Sequence, residues 1–214
     1  MVDKIRVALV GLGNCFSGLI QGIEYYRKNP SQEVIGIIHD KLRDYSIHDI
    51  EFVAGFDVAE NKIGKPVNGA IYESPNMVDW IDKNDMPKTD GMVYESPALD
   101  GVGIWVENKV KPIQSNKSES ELAEEIKKVI KDTRVEIIVS YLPVGSEKAT
   151  QFWANICLET NTAFVNCMPA FIASDKEWAQ KFKDKNIPII GDDIKGQVGA
   201  TIVNRTLARL CDER

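Results

Sequence analysis

The chain has 214 residues with a net charge of −6, and 43% of its residues are hydrophobic and 27% charged. That length buries one large core, or one core and the start of a second, and the acidic balance argues against a nucleic-acid or anionic-membrane surface, which needs clustered Lys and Arg. The four cysteines (Cys15, Cys157, Cys167, Cys211) fit no metal spacing or disulfide framework, and with only His39 and His48 available no His-rich metal site or His-based triad is expected.

Ile5 to Val10 is a short apolar run that breaks at Gly11, which predicts a buried parallel strand. Leu19, Ile20, Ile23 and Tyr26 then recur at helical spacing until Pro30. A strand is predicted over Val34 to Ile38, and another over Glu51 to Asp57 with Phe52, Val53 and Phe56 as its apolar members. Between about residues 64 and 115 the prolines 66, 75, 87, 97 and 112 predict an elaborated insertion of short elements.

Order returns at Ser118, which forms a capping-box pattern with Glu121 before Leu122, Ile126, Val129 and Ile130. A strand over Val135 to Leu142 follows, then a helix capped by Ser146 with Ala149, Phe152, Trp153 and Ile156 inward. Ala163 to Cys167 is the next strand, and Ser174 with Glu177 repeats the capping box before Trp178 and Phe182, which are expected in the core. Ile187 to Ile190 is a further strand ending at Gly191-Asp192-Asp193, and Gln197 to Arg209 is helical, with Val198, Ile202, Leu207 and Leu210 on one side. Strands alternating with helices imply an α/β fold with a doubly wound parallel sheet. No apolar run approaches the roughly 20 residues that cross a bilayer. The strand pattern starts almost at the first residue, so no signal peptide is expected and a reducing cytoplasm fits.

Gly11-Leu12-Gly13-Asn14-Cys15-Phe16-Ser17 matches G-x-G-x-x-G with serine at the third glycine position. It stands between a predicted strand and a predicted helix, the context of a Rossmann dinucleotide site. The first glycine permits a tight turn, the second lets a pyrophosphate approach the backbone, and the helix N-terminus offers free N–H groups. Serine is small enough for close helix–strand packing, and Gly18 could relieve crowding. The acidic residue for the adenosine ribose is either Asp40, by its offset, or Asp57, by its place at the end of a strand; Asp57 is preferred. A carboxylate there favours NAD over NADP. A turn or cap role for Asp57 stays open.

Several strings resemble the prokaryotic-type myo-inositol-1-phosphate synthases, also called inositol-3-phosphate synthases. They are Gly11 to Cys15 with Gln21 to Tyr26, Phe52 to Val58, Leu99 to Val102, Ser140 to Glu147, Phe164 to Cys167, Phe171 to Asp175 and Gly191 to Lys195. The resemblance implies an isomerase (an intramolecular lyase) that converts D-glucose 6-phosphate to an inositol monophosphate, for inositol and phospholipid biosynthesis. NAD serves it as a bound catalyst through oxidation at C5, enolisation, aldol closure and return of the hydride. It implies a Rossmann domain over residues 1–194, the first helix of an α+β catalytic and oligomerisation domain over 195–214, and a homotetramer. Gly196 departs from the family's usual serine, and the family continues well past this helix with further catalytic lysines, so this chain alone is expected to be inactive.

Gly11, Gly13, Asn14, Cys15 and Asp57 are thus candidate cofactor contacts, and the resemblance adds Ser140, Tyr141, Pro143, Asn166 and Asp192. Lys195 and Asp193 are the candidate catalytic pair: a lysine there stabilises a developing enolate or alkoxide. Structural alternatives remain open. Asp193 fits a helix cap, Tyr141 a satisfied core tyrosine, and Lys195 a solvated first-turn lysine. A non-catalytic NAD-binding module and an unrelated NAD-dependent dehydrogenase are the competing functions.

Overall fold

The structure is a computed structural model that describes residues 3–30, 37, 39, 41–102, 108–194 and 202–214. In chain order the elements are β1 (Ile5–Val10), α1 (Asn14–Lys28), β2 (Lys41–Leu42), β3 (Tyr45–Ser46), β4 (Ile50–Asp57), α2 (Val67–Ala70), β5 (Met92–Glu95), α3 (Glu119–Asp132), β6 (Ile137–Ser140), α4 (Glu147–Thr160), β7 (Ala163–Asn166), α5 (Lys176–Asp184), β8 (Ile189–Ile190) and α6 (Ile202–Asp212). Two short 3-10 turns, Ile47–Asp49 and Lys83–Asp85, interleave with them.

Six strands form one sheet in the order β5-β4-β1-β6-β7-β8, and every pairing in it is parallel. Numbered within the sheet this is 3-2-1-4-5-6, the doubly wound Rossmann order, whose direction reverses between β1 and β6. The side-chain alternation of β1 explains why both faces need covering. Val7 and Leu9 point into one core with Phe16, Ile20 and Ile23 of α1, Phe52 of β4 and Val67 of α2. Ala8 and Val10 point into the other core with Ile126 of α3, Trp153 of α4, Phe164 of β7 and Phe182 of α5. Trp153 is fully buried, its ring centre 4.9 Å from that of Phe56.

The expected fold class and most of the expected elements are present, with five corrections. The segment 64–115 is more than an insertion, because β5 within it is an edge strand of the main sheet, paired to β4. Asp175, not Ser174, caps α5, accepting from the N–H groups of Glu177 and Trp178 at 2.9 and 3.0 Å. Ser146 stands at the N-cap of α4 without capping it, since its hydroxyl donates to the Pro143 carbonyl instead. Trp178 is only half-buried, with the Lys181 ammonium 4.4 Å from its ring centre. Leu19 faces outward, and Phe16 takes its place in the core.

The Ser118–Glu121 capping box is formed in both directions. The last helix runs from Ile202 to Asp212, and Ile202, Leu207 and Leu210 on it are exposed. Of the predicted strand at Val34 to Ile38, all but Ile37 lies outside the described residues. Among the described residues no helix is long and apolar enough to cross a membrane.

Candidate functional site

The glycine loop leaves β1 at Gly11, whose φ of +81° is costly for any residue with a Cβ. A Cβ there would also stand 2.8 Å from the Tyr141 carbonyl oxygen. The Gly11 N–H donates to the Phe56 carbonyl at 2.9 Å, which fastens the turn to the end of β4. Gly13 is the N-cap of α1 and supplies no side-chain cap, which leaves the first-turn N–H groups of the helix without the usual N-cap acceptor. A Cβ added at Gly13 would meet nothing within 4 Å. The loop is therefore tight at its first glycine and open at its second, as a backbone cradle for a diphosphate requires.

Ser17, at the third position of the motif, is fully buried. Its hydroxyl accepts from Gln21 Nε2 at 2.9 Å and its N–H donates to the Gly13 carbonyl at 3.0 Å. A hydroxymethyl is thus accommodated where glycine is usual because its polar atom is satisfied inside the helix face. Gly18 relieves no crowding, since a Cβ there would make only an ordinary 3.5 Å contact with Trp80.

A cavity of about 300 Å3 opens at the carboxyl ends of β1, β4, β5 and β6, spanning the reversal point of the sheet. Gly11, Gly13, Asn14, Cys15, Asp57, Tyr141 and Pro143 all line it, so seven of the ten predicted cofactor contacts are brought together. Asp57 is 7% exposed, and β4 is the immediate neighbour of β1. One carboxylate oxygen accepts from the Leu12 N–H at 2.8 Å and the other from the Ala59 N–H at 2.9 Å. The turn role and a wall position therefore coexist in this residue. Asp40 lies outside the described residues.

Two polar residues unforeseen in the sequence, Lys62 and Asn76, complete this wall. Lys62, 3% exposed, donates to the Leu12 carbonyl at 2.7 Å, and its ammonium stands 3.7 Å from Asp57. Asn76 donates to the same carbonyl at 2.9 Å. The Met77 N–H donates to Asn14 Oδ1 at 2.8 Å, so segment 76–77 is strapped across the start of α1. On the opposite side, Asp100 accepts from the N–H groups of Lys148 and Ala149 at 2.7 and 2.8 Å and performs the capping expected of Ser146. Partners 48 to 64 residues apart leave no local pattern to find them by.

Tyr141 forms the floor toward β6, its ring edge-on to Phe16 at 4.7 Å. Burial, and then the neighbouring Cys167, raise its phenol above the usual range, so it remains a proton-bearing donor at neutral pH. The other three predicted contacts do not line the cavity. Ser140 is fully buried and its hydroxyl finds no partner among the described residues. Asn166 donates to the Ala170 carbonyl at 2.8 Å and to Asp192 at 2.7 Å. Asp192 further accepts from the N–H groups of Ile172, Ala173 and Ser174 at 2.9 to 3.0 Å. Burial pushes the Asp192 carboxyl up, but these donors outweigh it and hold the group below its ordinary value.

Asp193 is exposed at φ +72° beyond β8, accepting from the Ile194 N–H at 2.8 Å. Lys195 lies outside the described residues. No cluster of three or more His, Cys, Asp or Glu suited to a metal ion occurs among the described residues.

No protein-family model matches the chain. It is 45% identical over 212 residues to the inositol-3-phosphate synthase of Mycolicibacterium smegmatis and 47% identical over 213 residues to that of Corynebacterium glutamicum. Each alignment takes in 99% of this chain and 56% of the relative, so the chain spans about half the length of the curated relatives it matches. Among solved structures, Ari2 superposes with a TM-score of 0.82 at 29% identity, over 99% of this chain and 61% of that one. A myo-inositol-1-phosphate synthase-related protein from Thermotoga maritima shares the fold, with a TM-score of 0.74 at 24% identity over 98% of this chain and 59% of that one. With its glycine loop, its 3-2-1-4-5-6 sheet and these alignments, the chain is a homologue of the inositol-3-phosphate synthases over nearly its whole length.

Proposed function

We propose that this chain is the NAD-binding part of an inositol-3-phosphate synthase, which isomerises D-glucose 6-phosphate to 1D-myo-inositol 3-phosphate. The observation that carries the reading is the contrast within the glycine loop, closed at Gly11 and open at Gly13 on the uncapped end of α1. That end offers N–H groups and a partial positive charge to the cofactor's diphosphate. Each Asp57 oxygen keeps acceptor capacity beyond its one backbone partner, enough to receive a ribose hydroxyl. Tyr141, on the floor of the cavity, keeps a neutral phenol.

NAD, when bound, supplies reversible oxidation and reduction of the sugar, which leaves the net isomerisation redox-neutral. The chain's own residues orient it and exclude water on the side of Trp153, Leu142 and Val58. Asp193 and Lys195 are assigned to the substrate, the lysine to stabilise charge that develops on oxygen. Residues 1–194 form the cofactor domain in this reading, and 195–214 begin a second one. Because the chain spans about half of its relatives' length, cofactor binding without turnover is the second reading for the 214 residues alone.

A chimera of this chain with the remaining length of the M. smegmatis synthase tests the assignment. Inositol phosphate formed from glucose 6-phosphate without net NADH is the expected result. Accumulation of NADH would point to a dehydrogenase instead.

A further inference from the structure

Lys62 has no part in the glycine motif, yet it is the only ammonium on the wall of the cavity among the described residues. It is 3% exposed, which is rare for a lysine unless it is paired. Two of its three protons are accounted for, one by the Leu12 carbonyl at 2.7 Å and one by Asn76 Oδ1 at 3.3 Å. The Asp57 carboxylate stands 3.7 Å away, an ion contact too long for a hydrogen bond. One donor of a desolvated cation is therefore left beside the carboxylate assigned above to the ribose.

In dinucleotide sites of this type, a carboxylate at the end of the second sheet strand reads a free 2′-hydroxyl, whereas a nearby cation receives a 2′-phosphate. Both groups are present here, side by side. We infer that the Asp57–Lys62 pair, rather than Asp57 alone, sets which dinucleotide the cavity accepts, with Lys62 a latent 2′-phosphate site that Asp57 holds neutralised. The inference rests on the cofactor-site reading above. It follows that removing the carboxylate does more than weaken NAD: it unmasks a buried cation whose remaining donor and charge need an anion.

The surroundings permit the experiment. Asn76 Nδ2 also donates to the Leu12 carbonyl, at 2.9 Å, so loss of the lysine leaves that oxygen satisfied. The double variant Asp57→Asn with Lys62→Met removes both charges together and strands neither. NAD and NADP are titrated calorimetrically into the 214-residue chain and its variants, with thermal unfolding as the check on folding.

Wild type is expected to prefer NAD. Asp57→Asn shifts the NADP-to-NAD affinity ratio toward NADP by roughly tenfold or more, the usual worth of a charge-assisted hydrogen bond. NADP also raises its unfolding temperature more than NAD does. Adding Lys62→Met abolishes that gain. Should Asp57→Asn fail to fold, Lys62→Met alone reads the same assignment, since an uncompensated Asp57 depresses NADP binding further than NAD binding. Equal NADP affinity in Asp57→Asn and the double variant, or an unchanged ratio in Lys62→Met, overturns the assignment of Lys62 while leaving NAD binding intact. Failure of folded wild type to bind either dinucleotide overturns the cofactor site itself, and this inference with it.

Discussion

Asn166 Nδ2 donates to the Asp192 carboxylate at 2.7 Å, joining the end of β7 to the turn after β8. Three backbone N–H groups from residues 172–174 converge on the same carboxylate. The Gly-Asp-Asp string therefore spends its first aspartate on holding the loop before α5, and leaves its second exposed.

Asp192→Asn replaces an acceptor of four hydrogen bonds by an amide that repels part of them, and is expected to cost about 2 kcal/mol at pH 7. The sign of the pH dependence follows from the lowered carboxyl. Such a group stabilises the fold above its unfolded value, near 3.8, and that contribution is lost as the pH falls through the folded value. Urea unfolding of the two proteins should show the gap at pH 7 and a narrower one well below pH 3.8. A gap that stays constant into acid contradicts the clamp.

The two motif glycines should separate fold from binding. Gly11→Ala forces a Cβ to 2.8 Å from a carbonyl at positive φ and should cost about 1–3 kcal/mol. Gly13→Val, with φ of −84° and open space around its Cβ, should lose only the N-cap preference of glycine, about 1 kcal/mol of stability, and stay folded. It should nonetheless abolish NAD binding. Denaturant titration and calorimetry on both variants decide this.

Capping can be checked by three alanines. Ser118→Ala and Asp175→Ala should each cost about 1 kcal/mol, while Ser174→Ala, one residue outside the cap, should cost a few tenths. Equal losses at Ser174 and Asp175 in chemical denaturation would contradict the observed cap of α5.

Asp100 ties the loop that carries Pro97, Ala98 and Gly101 of the cavity wall to the start of α4. Asp100→Ala is expected to lose about 1 kcal/mol of stability, as for other lost caps, and to weaken NAD binding beyond that of Ser118→Ala, which caps a helix away from the cavity. Unfolding and NAD titration of the pair check both effects.

What the residues alone revealed follows the range of the interactions. The β1 run, the glycine loop, the strand ending at Asp57 and the Ser118–Glu121 box are local patterns, and each reappears in place. The edge strand β5 was hidden because its four residues lie among prolines, too few for periodicity to register. The caps of α4 and α5 are not decided by local sequence, because neighbouring hydroxyls and carboxylates compete for the same N–H groups: Asp100, distant in sequence, takes those of α4, and Asp175 those of α5. In the site, residues on the glycine loop and the strand ends were visible, whereas Lys62, Asn76 and Asp100 act on partners distant in sequence. Ser140, Asn166 and Asp192 were placed by likeness to a motif, and their side chains turn into the protein rather than the cavity.

Calorimetric titration of the folded 214-residue chain with NAD decides whether the cavity above α1 takes this cofactor. Saturable one-to-one binding that vanishes in a folded Gly13→Val variant is the predicted result. Absence of binding by folded wild type, or equal binding by Gly13→Val, would contradict it.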